Sequence, residues 1–120
     1  MSTSRDNPKR GDIWIVNLDP TVGAEIRKKR PALIVSSDAV GRLPIKLVAP
    51  LTGWNNKFAG SPWHVRVDPD KTNKLSKVSA VDALQLRGVD TQRLVQRIGR
   101  VSSTILEEVA AAIAAVVEYQ

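Results

Sequence analysis

The sequence of 120 residues contains no cysteine and one histidine. The lack of cysteine excludes disulfide bonds, thiolate nucleophiles and cysteine zinc sites, and a single histidine excludes a cluster of histidine metal ligands. No apolar run approaches the ~18 residues that a membrane-spanning helix needs. The first twelve residues hold no apolar stretch like that of a secretory leader. We therefore expect no metal site of these kinds, no membrane segment and a cytoplasmic location.

Basic residues outnumber acidic ones, 18 to 12, which gives a net charge of +6. All 18 basic residues and nine of the acidic ones lie in the first hundred positions, so this part carries +9. The last twenty residues hold three acidic residues and no basic one. This distribution favours a polyanionic partner, such as a nucleic acid, for the body of the chain.

The length and the hydrophobic content of 42% fit one globular domain with a single fold. We assign residues 1–9 to a flexible N-terminal tail and residues 10–120 to that domain. Short runs of β-forming residues, bounded by Pro, Gly, Asn and Asp, predict six strands. These predicted strands cover residues 13–18, 32–36, 45–51, 63–67, 78–84 and 94–101.

From Ser102 onward the apolar residues recur with a period of 3.6, which predicts a C-terminal amphipathic helix. Ser102, Ser103 and Thr104 are its candidate N-caps. Within the last predicted strand, Gly99 indicates a bulge or a close approach of another backbone. The pattern as a whole predicts a mainly β fold, in which a small antiparallel barrel or curled sheet is closed by the terminal helix.

Two polar loops contain the candidate functional residues. The first is a charged loop of about a dozen residues that holds Glu25 and the basic run Arg27–Arg30, and long loops of this kind are often functional. Pro31 follows Arg30, and the stiff geometry before a proline can aim the guanidinium at a phosphate. The second loop, residues 52–57, begins with Thr52 and contains Trp54.

Three segments closely resemble the MazF/PemK family of toxin endoribonucleases: RGDIW at 10–14, LDPTVGAE at 18–25 and KRPALIV at 29–35. The likeness continues through VAPLT at 48–52 and on to the terminal helix. The resemblance implies an SH3-like β-barrel, a homodimer, and cleavage of single-stranded RNA without a metal or other cofactor. It also implies inhibition by a cognate MazE-like antitoxin, with operator DNA bound only through the antitoxin complex.

The resemblance implies that Arg30 and Thr52 are catalytic. Metal-free cleavage uses the 2'-hydroxyl of the RNA as nucleophile, so the protein must stabilise charge on the phosphorane and handle two protons. A guanidinium stays protonated in proteins, so we expect Arg30 to stabilise charge rather than to act as a base. Thr52 can donate a hydrogen bond to a phosphate oxygen. The alternatives are a surface arginine at a strand start and a hydroxyl that caps a turn.

Glu25 and Asp82 are the candidate proton acceptors, and a phosphate oxygen of the substrate is a third. The alternative for Glu25 is an ion pair with the basic run, and for Asp82 a structural hydrogen bond to loop amides. The sequence departs from the family pattern here, since Ala83 and Leu84 separate Asp82 from Gln85, and some relatives carry ionisable groups where this chain has Ala24 and Ala80. The identity of the base therefore does not carry over.

RNA binding is expected from residues on both loops and from one later arginine. Trp54 can stack on an unpaired base, whereas asparagine side chains can select one; the alternative for the asparagines is an ordinary turn. We expect His64 to be structural, and Trp14 and Trp63 to lie in the core. The predicted RNA-binding residues are Arg27, Lys28, Lys29, Trp54, Asn55, Asn56 and Arg87.

Two alternative functions would require no RNA cleavage by this protein. One is a gyrase-poisoning module, which a related toxin family builds on the same barrel with an aromatic C-terminal tail; here the chain ends in Glu118-Tyr119-Gln120. The other is a non-catalytic nucleic-acid-binding or autoregulatory module. Mapping cut ends on a long RNA distinguishes both from an endoribonuclease.

Overall fold

The computed structural model of the protein describes residues 7–40 and 43–119. Within these ranges the chain forms seven β-strands and one α-helix, which confirms the mainly β prediction with a terminal helix. The elements are β1 (Asp12–Asn17), β2 (Lys29–Ile34), β3 (Ile45–Gly53), β4 (His64–Val67), β5 (Ser79–Asp82), β6 (Arg87–Asp90), β7 (Leu94–Arg100) and α1 (Ser103–Val116). Most of the predicted flexible tail, residues 1–6, lies outside the described residues.

All strand pairs are antiparallel, in the order β4-β5-β3-β2-β1-β7, and β6 pairs with the first half of β3. β5 and β6 follow one another along β3, separated by a 3-10 turn at Ala83–Gln85. Val89 of β6 and Leu94 of β7 pack in one cluster with β1, β2 and β3, so the sheet curls around that cluster. Among the described residues β4 and β7 each pair with one strand, so the predicted barrel is a curled sheet without ring closure.

Both faces of the central strands are covered, as the run of apolar residues in β1 predicts. Side chains alternate between the faces of a strand, so Ile13, Leu33 and Ala49 lie together on one face, packed towards α1. Trp14 and Val16 point to the other face, into the cluster inside the curl. The prediction that Trp14 lies in the core is confirmed, since its side chain is buried.

Helix α1 begins where the period of the apolar residues changes. The Ser102 hydroxyl accepts a hydrogen bond from the Ile105 amide at 3.2 Å, so Ser102 is the N-cap among the three candidates. The helix buries Leu106, Val109 and Ala112 against the sheet. No helix in the described part of the chain is long and apolar enough to cross a membrane.

The prediction of a close backbone approach at Gly99 is confirmed. A Cβ atom built on Gly99 would stand 2.5 Å from the carbonyl oxygens of both Thr72 and Asn73. The Arg100 amide donates to the Thr72 carbonyl at 3.0 Å, which holds the loop before β5 against β7. A side chain at position 99 would force the two backbones apart.

Several predicted strand bounds were wrong. β6 was missed because its residues, RGVD, contain one buried apolar side chain and no alternation. The predicted strand 78–84 ends at Asp82, whose carboxylate caps the following turn. β2 begins at Lys29 and β3 continues to Gly53, so Arg30 and Thr52 lie in strands rather than in loops.

Candidate active site

A fork between β2 and β3 forms the candidate site. The two strands pair from Ile34 opposite Val48 to Ala32 opposite Pro50, and pairing stops there. Beyond this point Pro31 and the residues before it stay paired with β1, whereas Leu51 to Gly53 pair with β5. Proline has no amide hydrogen, so Pro31 and Pro50 cannot donate to a ladder at the point where the strands part.

The space inside the fork is a groove of about 220 Å³ that brings Arg30 and Thr52 together. Arg30 lies on the β2 side and Thr52 on the β3 side, and both are half-buried. Two residues that the sequence analysis did not single out, Lys77 and Ser79, complete the wall beside Thr52. The lining residues are Lys28, Lys29, Arg30, Pro31, Leu51, Thr52, Gly53, Lys77 and Ser79.

The charged side chains that line this groove are all positive. Four of the lining residues are basic, Lys28, Lys29, Arg30 and Lys77, and none is acidic. Within the described ranges, no carboxylate lies within 4.0 Å of any of these four cationic groups. An unbalanced positive groove of this kind attracts a phosphodiester and gains hydrogen bonds from it.

Arg30 is oriented by its own loop. Its Nε donates to the Arg27 carbonyl at 3.1 Å, which fixes one side of the guanidinium and leaves its other donors for a ligand. Lys28 adopts a left-handed backbone conformation with φ of 70°. Such a conformation is unfavourable for a residue other than glycine, and strain of this kind concentrates at functional sites.

Three polar side chains outside the groove hold the charged loop in place, two of which the sequence analysis missed. Gln85 accepts a hydrogen bond from the Ile26 amide and donates one to the Ala24 carbonyl. Arg93 donates to the carbonyls of Asn17 and Asp19. Arg87, predicted to bind RNA, donates to the Leu18 carbonyl at 3.1 Å. Neighbouring residues give no indication of these roles, because 59 to 76 positions of the sequence separate each donor from its acceptor.

Glu25 lies on the exposed part of this loop and not in the lining of the groove. Its carboxylate accepts a hydrogen bond of 2.6 Å from the Val22 amide, which closes a local turn. No ion pair within 4.0 Å joins Glu25 to the basic run in the described part of the chain. The hydrogen bond uses one carboxylate oxygen of an exposed side chain.

Asp82 belongs to a group of polar side chains around His64, the single histidine of the chain. We call Ser61, His64 and Asp82 the histidine cluster. Asp82 is buried; its Oδ1 accepts from the Leu84 amide at 3.0 Å, and its Oδ2 lies 3.7 Å from His64 Nε2. The other ring nitrogen of His64 lies 2.8 Å from the Ser61 hydroxyl. Phe58 stacks on the imidazole with 3.8 Å between ring centres. These contacts fit the structural role predicted for His64 and the structural alternative for Asp82.

The second polar loop carries Trp54 beyond the end of β3. Its ring is half-buried, in an edge contact with Phe58 at 5.8 Å and with the Arg66 guanidinium 5.4 Å from its centre. Asn55 accepts from the Lys57 amide at 2.9 Å and so caps the following turn. Asn56 is exposed. Trp63, predicted to lie in the core, is half-buried and packs against it.

A larger groove of about 1130 Å³ runs beside β7, and its lining holds one acidic residue, Asp12, and three basic ones, Lys9, Arg97 and Arg100. The buried Asp12 carboxylate lies 2.8 Å from Arg100 and 3.4 Å from Arg97, and it accepts from the Lys9 amide at 2.9 Å. Two cations of this groove therefore share one carboxylate, whereas none of the four cations in the smaller fork has a carboxylate within 4.0 Å among the described residues. Among the described residues, no three His, Asp or Glu side chains come together in an arrangement that could hold a metal ion.

Comparisons with known proteins agree with this architecture. Residues 9–117 match the model of a family described as the PemK-like, MazF-like toxin of type II toxin-antitoxin systems. The chain is 35% identical over 106 residues to endoribonuclease MazF9 of Mycobacterium tuberculosis, covering 83% of this chain and 87% of that protein. It is 33% identical over 102 residues to endoribonuclease EndoA of Bacillus subtilis, covering 84% and 86%.

Solved structures show the same fold. A mycobacterial endoribonuclease in complex with its cognate antitoxin superposes with a TM-score of 0.74 over 95% of this chain and 98% of that one, at 20% identity. The agreement over almost the whole length of both chains shows that the curled sheet and its terminal helix have the same fold as that protein.

Proposed function

This chain belongs to the PemK-like, MazF-like toxin family of type II toxin-antitoxin systems, and we propose that it is a metal-independent, sequence-specific endoribonuclease of single-stranded RNA. Curated relatives at 33% and 35% identity are endoribonucleases, and this agreement over most of both chains supports the proposal. The observation that carries it is the meeting of Arg30 and Thr52 in a groove whose positive charge is unbalanced.

In the proposed reaction the 2'-oxygen of the RNA attacks the adjacent phosphorus, and the bond from phosphorus to the 5'-oxygen breaks. The products are a 2',3'-cyclic phosphate and a 5'-hydroxyl. Negative charge grows on the non-bridging oxygens in the transition state, so donors fixed in the groove bind that state more tightly than the substrate. Arg30 stabilises this charge and Thr52 donates a hydrogen bond to a phosphate oxygen.

The 2'-hydroxyl proton has three candidate acceptors: Glu25, Asp82 and a phosphate oxygen of the substrate. Glu25 is favoured among the protein groups, since its side chain is exposed whereas Asp82 is buried and already bonded to the Leu84 amide. The departing 5'-oxygen takes up a proton from a donor in the groove or from water. No step needs a metal ion.

Substrate binding uses the charged loop and the loop after β3. Arg27, Lys28 and Lys29 bind phosphates on either side of the cut, because none of their cationic groups has a carboxylate within 4.0 Å in the described part of the chain. Trp54 offers the exposed part of its ring to a base, and stacking of this kind contributes about 1–3 kcal/mol per base. Asn55 and Asn56 select the base.

The partners follow from the family and from the charge. A cognate antitoxin with an acidic segment would cover the positive groove and exclude RNA, and a related endoribonuclease forms a complex with its antitoxin. Contact with operator DNA then occurs through that complex. We further propose a homodimer, supported by Ile45 and Leu47, which expose 45% and 41% of their surface on β3. The RNA substrate places the activity in the cytoplasm.

The test is end-group mapping on one long RNA. Purified protein is incubated with the RNA in buffer that contains EDTA, and the cut ends are mapped and assigned. We expect cuts at one short sequence, 2',3'-cyclic phosphate and 5'-hydroxyl ends, and the same rate with and without EDTA. The Arg30→Ala protein, purified in the same way, controls for contaminating nucleases.

Two outcomes would contradict this function. Strict dependence on Mg²⁺, or products with a 5'-phosphate and a 3'-hydroxyl, would require a different chemistry. Binding of RNA without any cut would favour the non-catalytic binding module instead.

A further inference from the structure

Lys77 reaches the groove from the segment between β4 and β5. It lies just before β5, yet its side chain lines the groove together with Arg30 and Thr52. Arg30 comes from β2 and Thr52 from β3, so Lys77 brings a cation from a third segment. It adds positive charge on the Thr52 side of the fork.

Gly53 makes room for this side chain. A Cβ atom built on Gly53 would stand 3.2 Å from the Lys77 ammonium nitrogen, 3.4 Å from Cε and 3.9 Å from Cδ. The end of the lysine chain therefore lies across the backbone of Gly53, directly after Thr52. Any side chain at position 53 would compete with the ammonium group for the same space.

The backbone around Lys77 is fixed on both sides. Its carbonyl accepts a hydrogen bond from the Ser79 hydroxyl at 3.0 Å. The next carbonyl, that of Val78, accepts from the Trp54 amide at 3.0 Å. These bonds attach the segment to the end of β3 and keep the base of the lysine side chain beside the groove.

The ammonium group has no acid to neutralise it. None of the carboxylates in the described part of the chain lies within 4.0 Å of Lys77. Repulsion from the other cations of the groove opposes this position of the Lys77 ammonium group. A phosphate bound between Arg30 and Lys77 would reverse that cost.

We propose that Lys77 is a further catalytic residue, which binds the scissile phosphate from the Thr52 side while Arg30 binds it from the β2 side. This role rests on the proposed endoribonuclease function. The ammonium group donates a hydrogen bond to a non-bridging oxygen, and this bond strengthens as the phosphorane forms. Loss of the charge should therefore slow the cleavage step more than it weakens RNA binding.

The absence of cysteine allows a direct chemical test, because Lys77→Cys introduces a unique thiol. Single-turnover cleavage of an RNA oligonucleotide with a mapped cut site is measured with enzyme in excess. Affinity is measured with the same oligonucleotide carrying a 2'-deoxy sugar at the cut, which cannot react. We expect Lys77→Cys to lose about 100-fold in cleavage rate and only a few-fold in affinity.

Alkylation of the thiol separates charge from folding. Aminoethylation of the cysteine restores an ammonium group at nearly the length of lysine, and we expect it to recover at least a tenth of the original rate. Carbamidomethylation adds a neutral group and should recover nothing. Lys71→Cys, at an exposed position in the same loop and outside the groove, is the matched control and should stay within twofold of the unmodified protein under every treatment.

A second variant uses the glycine. Gly53→Ala keeps a compatible backbone but places a methyl group 3.2 Å from the Lys77 ammonium, so the ammonium has to move. We expect a slower cleavage rate with an unchanged melting temperature. The proposal is wrong if Lys77→Cys cleaves within twofold of the unmodified protein, or if both alkylations rescue equally. Absence of any cleavage by the unmodified protein would instead reject the endoribonuclease function itself.

Discussion

The groove and the histidine cluster lie at opposite ends of β5, and their polar groups are arranged in opposite ways. Ser79, at the start of β5, lines the groove, where four cationic side chains face no acid. Asp82, at the end of β5, belongs to the histidine cluster, where Ser61, His64 and Asp82 contact one another. One region leaves its charges unpaired and the other pairs its polar groups internally.

This difference in pairing indicates that the groove serves function and that the histidine cluster stabilises the fold. Buried polar groups are normally satisfied inside the protein, because leaving one without a partner costs free energy. A satisfied cluster such as that of His64 stabilises the fold and has little capacity left for a substrate. Cations held close together without an acid are unfavourable in the free protein and become favourable when a phosphate binds. The comparison predicts that variants in the groove lose activity and variants in the cluster lose stability.

The largest effect is expected from Arg30→Ala. In the proposed mechanism, removal of the guanidinium takes away a donor to the phosphorane, and the loss of one fixed donor of this kind costs up to about 1000-fold in rate. Single-turnover cleavage should fall by that amount or below detection, while the far-UV circular dichroism and the melting temperature stay unchanged. Half-burial and a single bond to the Arg27 carbonyl give the side chain little weight in the fold.

Arg97→Ala is the matched control for Arg30→Ala. Arg97 is also an arginine on a strand, but it pairs with Asp12 at 3.4 Å in the larger groove beside β7. We expect its cleavage rate to stay within a few-fold of the unmodified protein. Equal losses for the two arginines would contradict the distinction between unpaired and paired cations.

A moderate effect, on stability rather than activity, is expected from Asp82→Ala. The change removes the acceptor for the Leu84 amide and the acid that faces His64. Loss of a cap and of a buried acceptor should lower the free energy of unfolding by about 1–2 kcal/mol. The melting temperature should fall by several degrees, about 4–8 °C, and the folded fraction should still cleave RNA.

Asp68→Ala is the control for Asp82→Ala. Asp68 is exposed and pairs with the exposed Arg66 at 2.9 Å, and surface pairs of this kind contribute about 0–1 kcal/mol. Loss of cleavage at an unchanged melting temperature in Asp82→Ala would give Asp82 the role of proton acceptor. It would also show that a satisfied cluster can take part in the chemistry.

The sequence predicted those features of the fold that depend on residues close together in the chain. The period change at Ser102 predicted α1, and the glycine in the last strand predicted a close approach that only glycine permits. For Arg30 and Thr52 the local pattern left a surface arginine and a turn-capping hydroxyl open, and it was the family resemblance that predicted both at one site; the groove contains both side chains. Family resemblance added the chemistry that such a pair can support.

Long-range contacts explain what the sequence could not predict. β6 forms because β3 is long enough to pair with two successive short strands, and its own four residues carry no such signal. Lys77 reaches the groove because Gly53 lies opposite its segment, 24 positions earlier in the chain. Gln85 and Arg93 look like ordinary surface residues until the fold brings the charged loop against them.

The smallest effect, and the finest test of the comparison, is expected from Lys29→Gln. Lys29 is exposed and lines the groove on the β2 side, where it faces no acid within 4.0 Å among the described residues. A lysine that binds a phosphate away from the cut releases about 0.7 counterions per contact on a single strand, so the slope of log affinity against log salt should become shallower by about 0.7. The affinity for the 2'-deoxy oligonucleotide should fall a few-fold at low salt, while the single-turnover rate at saturating enzyme stays the same. A lower saturated rate with an unchanged salt slope would move Lys29 to the scissile phosphate, and Lys71→Gln should change neither quantity because that lysine lies outside the groove.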